Sequence, residues 1–198
     1  MSVAALKTGF SDAVSASQSV FRTVMMALAR PGTIRRIEVG IDAPATLDPA
    51  AGAVALALCD FGSTVWLDET LARDEGVTEF LRFHTSAPVI AEKGLAAFAF
   101  FHRGGELPPF EAFALGSLEY PDRSTTLVVP VEHLADDGGW RVTGPGVAGE
   151  GRFSAGPLPA DILERLARNH ALFPRGVDLV LTCGDRLAAI PRSTLVEA

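Results

Sequence analysis

The chain has 198 residues, of which 48% are apolar and 21% charged, and it carries a net charge of −7 at pH 7. This length is ample for one buried core, so we expect residues 1–198 to form a single domain, with a loosely ordered segment over residues 1–14. The acidic balance excludes nucleic acid as a partner, because binding it requires a basic surface. No segment approaches the roughly 18 consecutive apolar residues that cross a bilayer, and the first residues lack the apolar centre of a secretory signal. We therefore expect a soluble, cytoplasmic protein with no membrane partner.

The first predicted element is an amphipathic helix that begins at a capping box, Ser15 to Gln18. Apolar residues follow at helical spacing until Pro31-Gly32 ends the run, and we expect Phe21 among them to face the core. Further on, Asp48-Pro49 supplies an N-cap and a first-turn proline for a second, buried helix that ends at Leu58.

Short apolar runs predict buried strands through the middle of the chain. Ser63 to Leu67 and Ala96 to Phe101 have the composition of strands, and we expect Trp66 to lie in the core. Between these strands, Asp68 to Asp74 is predicted as a polar connection and Val77 to His84 as part of a short helix.

The last quarter of the chain predicts a β-hairpin. Val177 to Cys183 is rich in branched apolar residues, Gly184-Asp185 supplies the positive φ of a two-residue turn, and Arg186 to Ile190 returns. Pro191 ends the second strand because it has no N–H for a ladder bond. Upstream, strands are predicted at 124–131, 140–143 and 151–153, and an amphipathic helix at 159–171. Helices and buried strands thus intermix, which predicts an α/β fold: one layered domain with a mixed sheet flanked by helices.

Three patterns that suggest chemistry are better explained by structure. Gly144 to Gly149 has the letters of a dinucleotide fingerprint, but no helix follows it to receive a pyrophosphate, so we predict a turn between strands. Cys59 and Cys183 lie in apolar runs and are predicted to be buried and structural. Lys93 occupies a polar turn, which is unsuited to a Schiff base. With no metal-ligand spacing among the histidines and no serine elbow, the sequence predicts no cofactor, no metal and no catalytic residue.

A cation, an imidazole and a hydroxyl fall within one turn at Arg82, His84 and Thr85. Such a trio can hold a phosphonate or phosphate through charge-assisted hydrogen bonds, and Arg192 is a further cation for the same ligand. The alternative role is structural or at an interface, with Arg82 in an ion pair and His84 capping the backbone before Pro88.

Two carboxylates are expected to be buried by their context. Asp60 follows an apolar run, and Asp178 lies inside the first hairpin strand. A buried carboxylate needs hydrogen bonds or a cation. The candidate partners are Arg82 and Arg22, which lies on the edge of the apolar face of the first helix.

Five blocks of the sequence together resemble the H subunit of the bacterial carbon-phosphorus lyase system. They are Phe21-Arg22 ahead of Pro31-Gly32, Val65-Trp66-Leu67, Leu81 to Thr85 with Pro88, Val142 to Gly146, and the hairpin block Phe173 to Thr194. The blocks occur in the family's order between Ser15 and Glu197. The resemblance implies a sheet similar to that in the large domain of pyridoxal-phosphate-dependent transferases, without the cofactor site.

The resemblance also implies a function inside a complex. It implies assembly with subunits G, I and J in alkylphosphonate use, and a homodimer when the chain is isolated. The G, H and I proteins, with the L protein, are associated with transfer of ribose 5-triphosphate from ATP to methylphosphonate, which displaces adenine. Cleavage of the C–P bond belongs to J. The first hypothesis is therefore a subunit of ribose 1-methylphosphonate 5-triphosphate synthase that is not catalytic alone. The second is a free-standing enzyme or binding protein for a phosphonate or phosphate that uses Arg82, His84 and Arg192.

Overall fold

The computed structural model describes residues 7–198, and the regular structure of that range comprises five helices and eleven strands. In chain order the elements are β1 (Gly9–Phe10), α1 (Ala13–Ala29), β2 (Arg35–Arg36), β3 (Ile41–Asp42), α2 (Pro49–Leu58), β4 (Val65–Leu67), α3 (Glu69–Arg73), α4 (Glu75–Thr85), β5 (Phe98–Phe100), β6 (Thr126–Pro130), β7 (His133–Thr143), β8 (Gly151–Gly156), α5 (Ile162–Ala171), β9 (Asp178–Cys183), β10 (Arg186–Ile190) and β11 (Leu195–Glu197). Short 3₁₀ turns occupy Lys93–Leu95 and Phe110–Ala112. Within this range, none of the helices has the length and apolar character that crossing a bilayer demands.

A six-stranded sheet forms the centre of the fold, in the order β2-β10-β9-β6-β5-β4. The four strands β9, β6, β5 and β4 run parallel, whereas β10 is antiparallel to β9 and β2 is antiparallel to β10. The sheet is therefore mixed, and the predicted α/β class with a mixed sheet and helices is confirmed.

Both faces of this sheet are covered. Alternate residues of each strand point to opposite sides, so neighbours in one strand pack into different clusters. In β9, Val180 packs into a cluster with residues of α1, α2 and α4. Its neighbours Leu179 and Leu181 pack into a second cluster, with Leu166 of α5 and Phe153 of a smaller sheet ordered β11-β7-β8. Three layers result, with the large sheet in the middle.

The terminal hairpin is confirmed in detail. Cys183 pairs with Arg186 across the turn, and Gly184 adopts the positive φ of +64° that the turn requires. The start of the hairpin is fastened to α5 by a buried side chain. The Asn169 amide donates to the Val177 carbonyl at 2.8 Å and accepts from the Val177 N–H at 2.9 Å.

The start of α1 differs from the prediction. Its N-cap is Asp12, whose carboxylate accepts from the Ser15 N–H at 3.2 Å, so the capping box at Ser15 is wrong. The helix buries small residues, Ala16, Val20, Val24 and Ala27, which allows close packing. Phe21 is 47% exposed on the opposite side, so its predicted core position is wrong.

Regular structure begins inside the segment for which a loosely ordered start is expected. Gly9–Phe10 pairs with β3, and α1 begins at Ala13. The first six residues of that expected segment lie outside the described residues.

The connection after β4 is also a correction, because residues 69–73 form the helix α3 with Asp68 as its N-cap. Trp66 is half-buried rather than a core residue. Its ring lies 5.5 Å from that of Phe101, and the Lys93 ammonium lies 5.0 Å from the Trp66 ring. By contrast, α2 begins and ends as predicted, with the Asp48 carboxylate accepting from two first-turn N–H groups.

Candidate functional site

The carboxyl ends of the four parallel strands meet at one edge of the large sheet, which we term the carboxyl edge. Asp68 directly follows β4, and His102 lies two residues beyond β5. The N-terminus of α2 reaches the same edge, since the Ala50 N–H donates to the Gly184 carbonyl at 3.2 Å. Ligands of open α/β sheets bind at this kind of edge, so the side chains that converge on it are candidates for a binding site.

Asp68 and His102 form an acid–imidazole pair at the carboxyl edge. The Asp68 carboxylate lies 2.6 Å from His102 Nδ1 and accepts from the His102 backbone N–H at 2.8 Å. Its other oxygen accepts from the Leu71 N–H at 3.0 Å. The Asp68 side chain is 9% exposed and the His102 side chain 32%. A nearly buried carboxylate therefore fixes the orientation of a partly exposed imidazole.

Gly105 is required beside this pair. A Cβ at position 105 would lie 2.7 Å from the Asp68 carboxylate and 2.9 Å from His102 Nδ1. Contacts that short are sterically forbidden, so the loop can cross the pair only without a side chain there. The Gly105 N–H donates to the His102 carbonyl at 3.0 Å, which closes the loop over the imidazole.

A second pair, Asp48 and Arg103, lies next to the first. Arg103 Nη2 donates to the Asp48 carboxylate at 2.8 Å, with side-chain exposures of 52% and 1%. The hydrogen bond to Asp48 raises the pKa of Arg103, whereas desolvation lowers it. The negative charges of Asp48, Cys183 and Glu132 also raise this pKa. Arg103 is therefore a fixed cation whose outer part faces solvent.

A cavity of about 290 Å³ adjoins the loop that follows His102. Gly104, Gly105 and Leu107 form one wall, and the end of β6 and Arg165 of α5 form others. Arg165 Nη1 donates to the Leu107 carbonyl at 2.7 Å, which ties the far end of the loop to α5. The loop 102–107 is thus anchored at both ends and bordered by the cavity.

The chemistry available at the carboxyl edge is hydrogen-bond donation and proton transfer. Two buried carboxylates are covered by an imidazole and a guanidinium, which are the groups that solvent or a ligand meets. Among residues 7–198, no group of three or more His, Cys, Asp or Glu side chains is placed to hold a metal ion. Sequence reasoning missed this cluster. The available signal was that Asp68 and His102 each follow a predicted strand.

The residues singled out in α4 lie at the opposite, amino edge of the sheet, where the Val65 N–H of β4 donates to the Pro88 carbonyl just after the helix. His84 does not cap the backbone before Pro88, because its Nε2 lies 2.9 Å from the Lys7 carbonyl. Thr85 is buried, and its hydroxyl donates to the Leu81 carbonyl within the helix. Arg82 is exposed and makes no ion pair with another residue in the range 7–198.

Arg192 holds Asp178 at the amino edge, which corrects the expected pairing with Arg82 or Arg22. The Arg192 guanidinium donates to both Asp178 oxygens, at 3.1 and 2.5 Å, to the Pro121 carbonyl at 2.6 Å, and to the Ser124 hydroxyl. The side chains of Arg192 and Asp178 are 13% and 20% exposed. In the described part of the chain, no hydrogen bond joins Arg192 to the residues of α4.

The remaining sequence candidates are spread over the surface. Arg22 is exposed on α1 and lines a shallow cavity with Phe21 and Met25. Asp60 is exposed and accepts from the Gly62 N–H and the Ser63 hydroxyl, so its predicted burial is wrong.

The cysteine and glycine motifs have structural roles. Cys59 is buried as predicted, and burial, with a smaller contribution from the Asp60 charge, raises the pKa of its thiol. Cys183 is only half-buried, which corrects that prediction, and its thiol donates to the Glu132 carbonyl at 3.3 Å. The loop 144–149 connects β7 to β8 without a helix, as predicted.

Comparison with known proteins places the chain in a family. The model of a family described as "Bacterial phosphonate metabolism protein (PhnH)" matches residues 8–197. The chain is 45% identical over 190 residues to the "Alpha-D-ribose 1-methylphosphonate 5-triphosphate synthase subunit PhnH" of Rhizobium meliloti (strain 1021), which covers 95% of this chain and 94% of that protein. It is also 35% identical over 83 residues to HtxG of Stutzerimonas stutzeri, named as a candidate C-P lyase subunit, which covers 42% of this chain and 43% of that protein. The resemblance drawn from the five sequence blocks is confirmed, and the chain belongs to the PhnH family of bacterial phosphonate metabolism proteins.

Proposed function

We propose that this chain is a subunit of α-D-ribose 1-methylphosphonate 5-triphosphate synthase and acts inside the multi-subunit carbon-phosphorus lyase assembly. The observation that carries the proposal is the 45% identity to a relative with that name, over 95% of this chain and 94% of that protein. The alignment spans nearly the whole of both chains, so the similarity is not confined to one motif or segment.

The proposed reaction joins methylphosphonate to the ribose of ATP. A methylphosphonate oxygen forms a bond to C1 of the ribose, the bond between C1 and adenine breaks, and adenine leaves with the bonding electron pair and takes up a proton. We propose that this chain does not complete these steps alone and that its charged groups act together with those of companion subunits.

Exposed apolar side chains support a role as a subunit. Val14, Phe21 and Met25 are 72%, 47% and 50% exposed along the outer side of α1. They recur at helical spacing, so α1 has one apolar face inside the fold and another turned outward. Exposed apolar faces of this kind are typical of surfaces that a partner covers.

The proposal has finer parts, which the resemblance to the family supports. The partners are subunits G, I and J, the isolated chain is a homodimer, and the complex is cytoplasmic. The 198 residues form one domain, whose sheet is similar to that in the large domain of pyridoxal-phosphate-dependent transferases but lacks the cofactor site.

Co-assembly tests the proposal. The chain carrying a tag is produced together with G, I and J and analysed by size-exclusion chromatography with light scattering. We expect one complex that contains all four proteins, and we expect Phe21→Asp to weaken it. The control Leu118→Asp changes a residue that is 75% exposed outside α1 and leaves the complex unchanged. Elution of the unmodified chain free of every companion would contradict the proposal.

A further inference from the structure

We propose that the loop from His102 to Leu107 at the carboxyl edge binds a phosphorus oxyanion, with the imidazole of His102 and the guanidinium of Arg103 as its donors. The choice of a phosphonate or polyphosphate as ligand rests on the proposed function, whereas the donor site itself rests on geometry. The shared chemistry is a tetrahedral phosphorus with several charged oxygens, which methylphosphonate and the triphosphate of ATP both present.

At this edge the hydrogen-bond donors are exposed and the carboxylates that hold them are buried. Asp48 and Asp68 are 1% and 9% exposed, while their partners Arg103 and His102 are 52% and 32% exposed. Both carboxylates also accept backbone N–H groups, from the first turns of α2 and α3. Because the acceptor sites of Asp48 and Asp68 are directed into the protein, an approaching ligand meets the two donors before these two carboxylates, although Glu106 on the same loop is exposed and the charge of Glu132 acts on Arg103.

The imidazole of His102 is oriented for such a contact. Asp68 holds Nδ1 at 2.6 Å, and Gly105 packs against the same side of the ring. The other nitrogen, Nε2, has no partner among residues 7–198. When the ring is protonated, Nδ1–H donates to Asp68 and Nε2–H is left to donate to a ligand oxygen.

The guanidinium of Arg103 has spare donors as well. Within residues 7–198 it makes one hydrogen bond, from Nη2 to Asp48, and its side chain is 52% exposed. A planar fork with free N–H groups suits two oxygens of one phosphorus centre. The pair with Asp48 limits the rotamers of Arg103, so less entropy is lost when a ligand binds.

The backbone of the loop permits close approach of a ligand. Gly104 has a φ of +78°, and no atom of residues 7–198 lies within 4 Å of the position of a Cβ there, so this stretch is open. The adjoining cavity of about 290 Å³ is lined by Gly104, Gly105 and Glu106 of this loop rather than by the two donors. The donors therefore face a ligand on the exposed outer side of the loop.

Binding to the full-length chain is measured first, by titration calorimetry and by NMR of the histidine rings. The probes are methylphosphonate and inorganic triphosphate, with chloride at equal ionic strength as the blank. We expect saturable binding and a shift of the His102 ring signals, assigned with His102→Gln. The signals of His170, which lies beside Arg192 at the amino edge of the sheet, should not move. Absence of any such shift in both the isolated chain and the complex with G, I and J would overturn the proposal.

Variants separate a binding role from a structural one. Arg103→Lys keeps a cation for Asp48, and we expect it to fold and to bind the probes at least tenfold more weakly. Arg168→Gln is the matched control, because Arg168 is 54% exposed and pairs with a carboxylate, Glu164, on α5. Equal affinity of Arg103→Lys, His102→Gln and the control would also overturn the proposal.

The adenine-release reaction of the chain with G, I and L shows which substrate supplies the oxyanion. A rise in the KM for methylphosphonate in Arg103→Lys assigns the phosphonate, and a rise in the KM for ATP assigns the triphosphate. Unchanged KM values for both substrates overturn the proposal. Assembly is measured for each variant. Weaker ligand binding by a variant that still assembles supports the proposed site. Failure of the unmodified chain to assemble contradicts the proposed subunit role and leaves the binding measurements on the isolated chain as the test of the site.

Discussion

Replacing Arg192 by Ala tests whether this residue holds the fold together or contacts a ligand. Removing one partner of a fully buried ion pair costs about 3 to 5 kcal/mol of unfolding free energy. Two features of Asp178 reduce this cost in the variant. Its carboxylate still accepts a 2.9 Å hydrogen bond from the backbone N–H of residue 192, and its side chain is 20% exposed. Against this, the Pro121 carbonyl and the Ser124 hydroxyl lose their donor. We therefore expect a loss of about 2 to 4 kcal/mol.

Urea unfolding followed by tryptophan fluorescence and circular dichroism measures this loss. With a urea dependence of about 2 to 3 kcal/mol per molar, the midpoint should fall by about 1 M. The double variant Arg192→Ala with Asp178→Asn should recover part of the stability, because the unpaired charge is removed. An unchanged midpoint together with lost binding of methylphosphonate would refute the structural role and favour a ligand contact at Arg192.

Two further predictions concern buried groups. Asn169→Ala leaves the buried N–H and carbonyl of Val177 unpaired, so it should lower the unfolding free energy by about 2 to 4 kcal/mol in the same urea assay. A loss under about 1 kcal/mol would contradict the contact. A thiol reagent at pH 8 should modify Cys183 and spare Cys59, because Cys59 is 6% exposed and burial raises the pKa of its thiol. Mass spectrometry of the native protein identifies the labelled cysteine, and fast labelling of Cys59 would contradict its burial.

Elements with a strong local signal could be predicted from the sequence. The hairpin depends on Gly184 in a two-residue turn and on Pro191 after the second strand, and both act over a few residues. The buried helix α2 is likewise set by Asp48 at its N-cap and Pro49 in its first turn.

Features that depend on tertiary packing could not be predicted in the same way. Phe21 fits a helical apolar pattern, but α1 contacts the fold through smaller side chains, and periodicity alone does not choose between two apolar faces. Asp68 and His102 are 34 positions apart in the sequence and meet only because β4 and β5 are parallel neighbours. Strand order was therefore the missing information for the candidate site.

The chain's dependence on companion subunits is tested most directly by release of adenine from ATP and methylphosphonate. The purified chain is assayed alone, with G, I and L, and with those proteins but without the chain. We predict adenine release only in the complete mixture. Sustained release by the homogeneous chain alone, or undiminished release when it is omitted, would contradict the account.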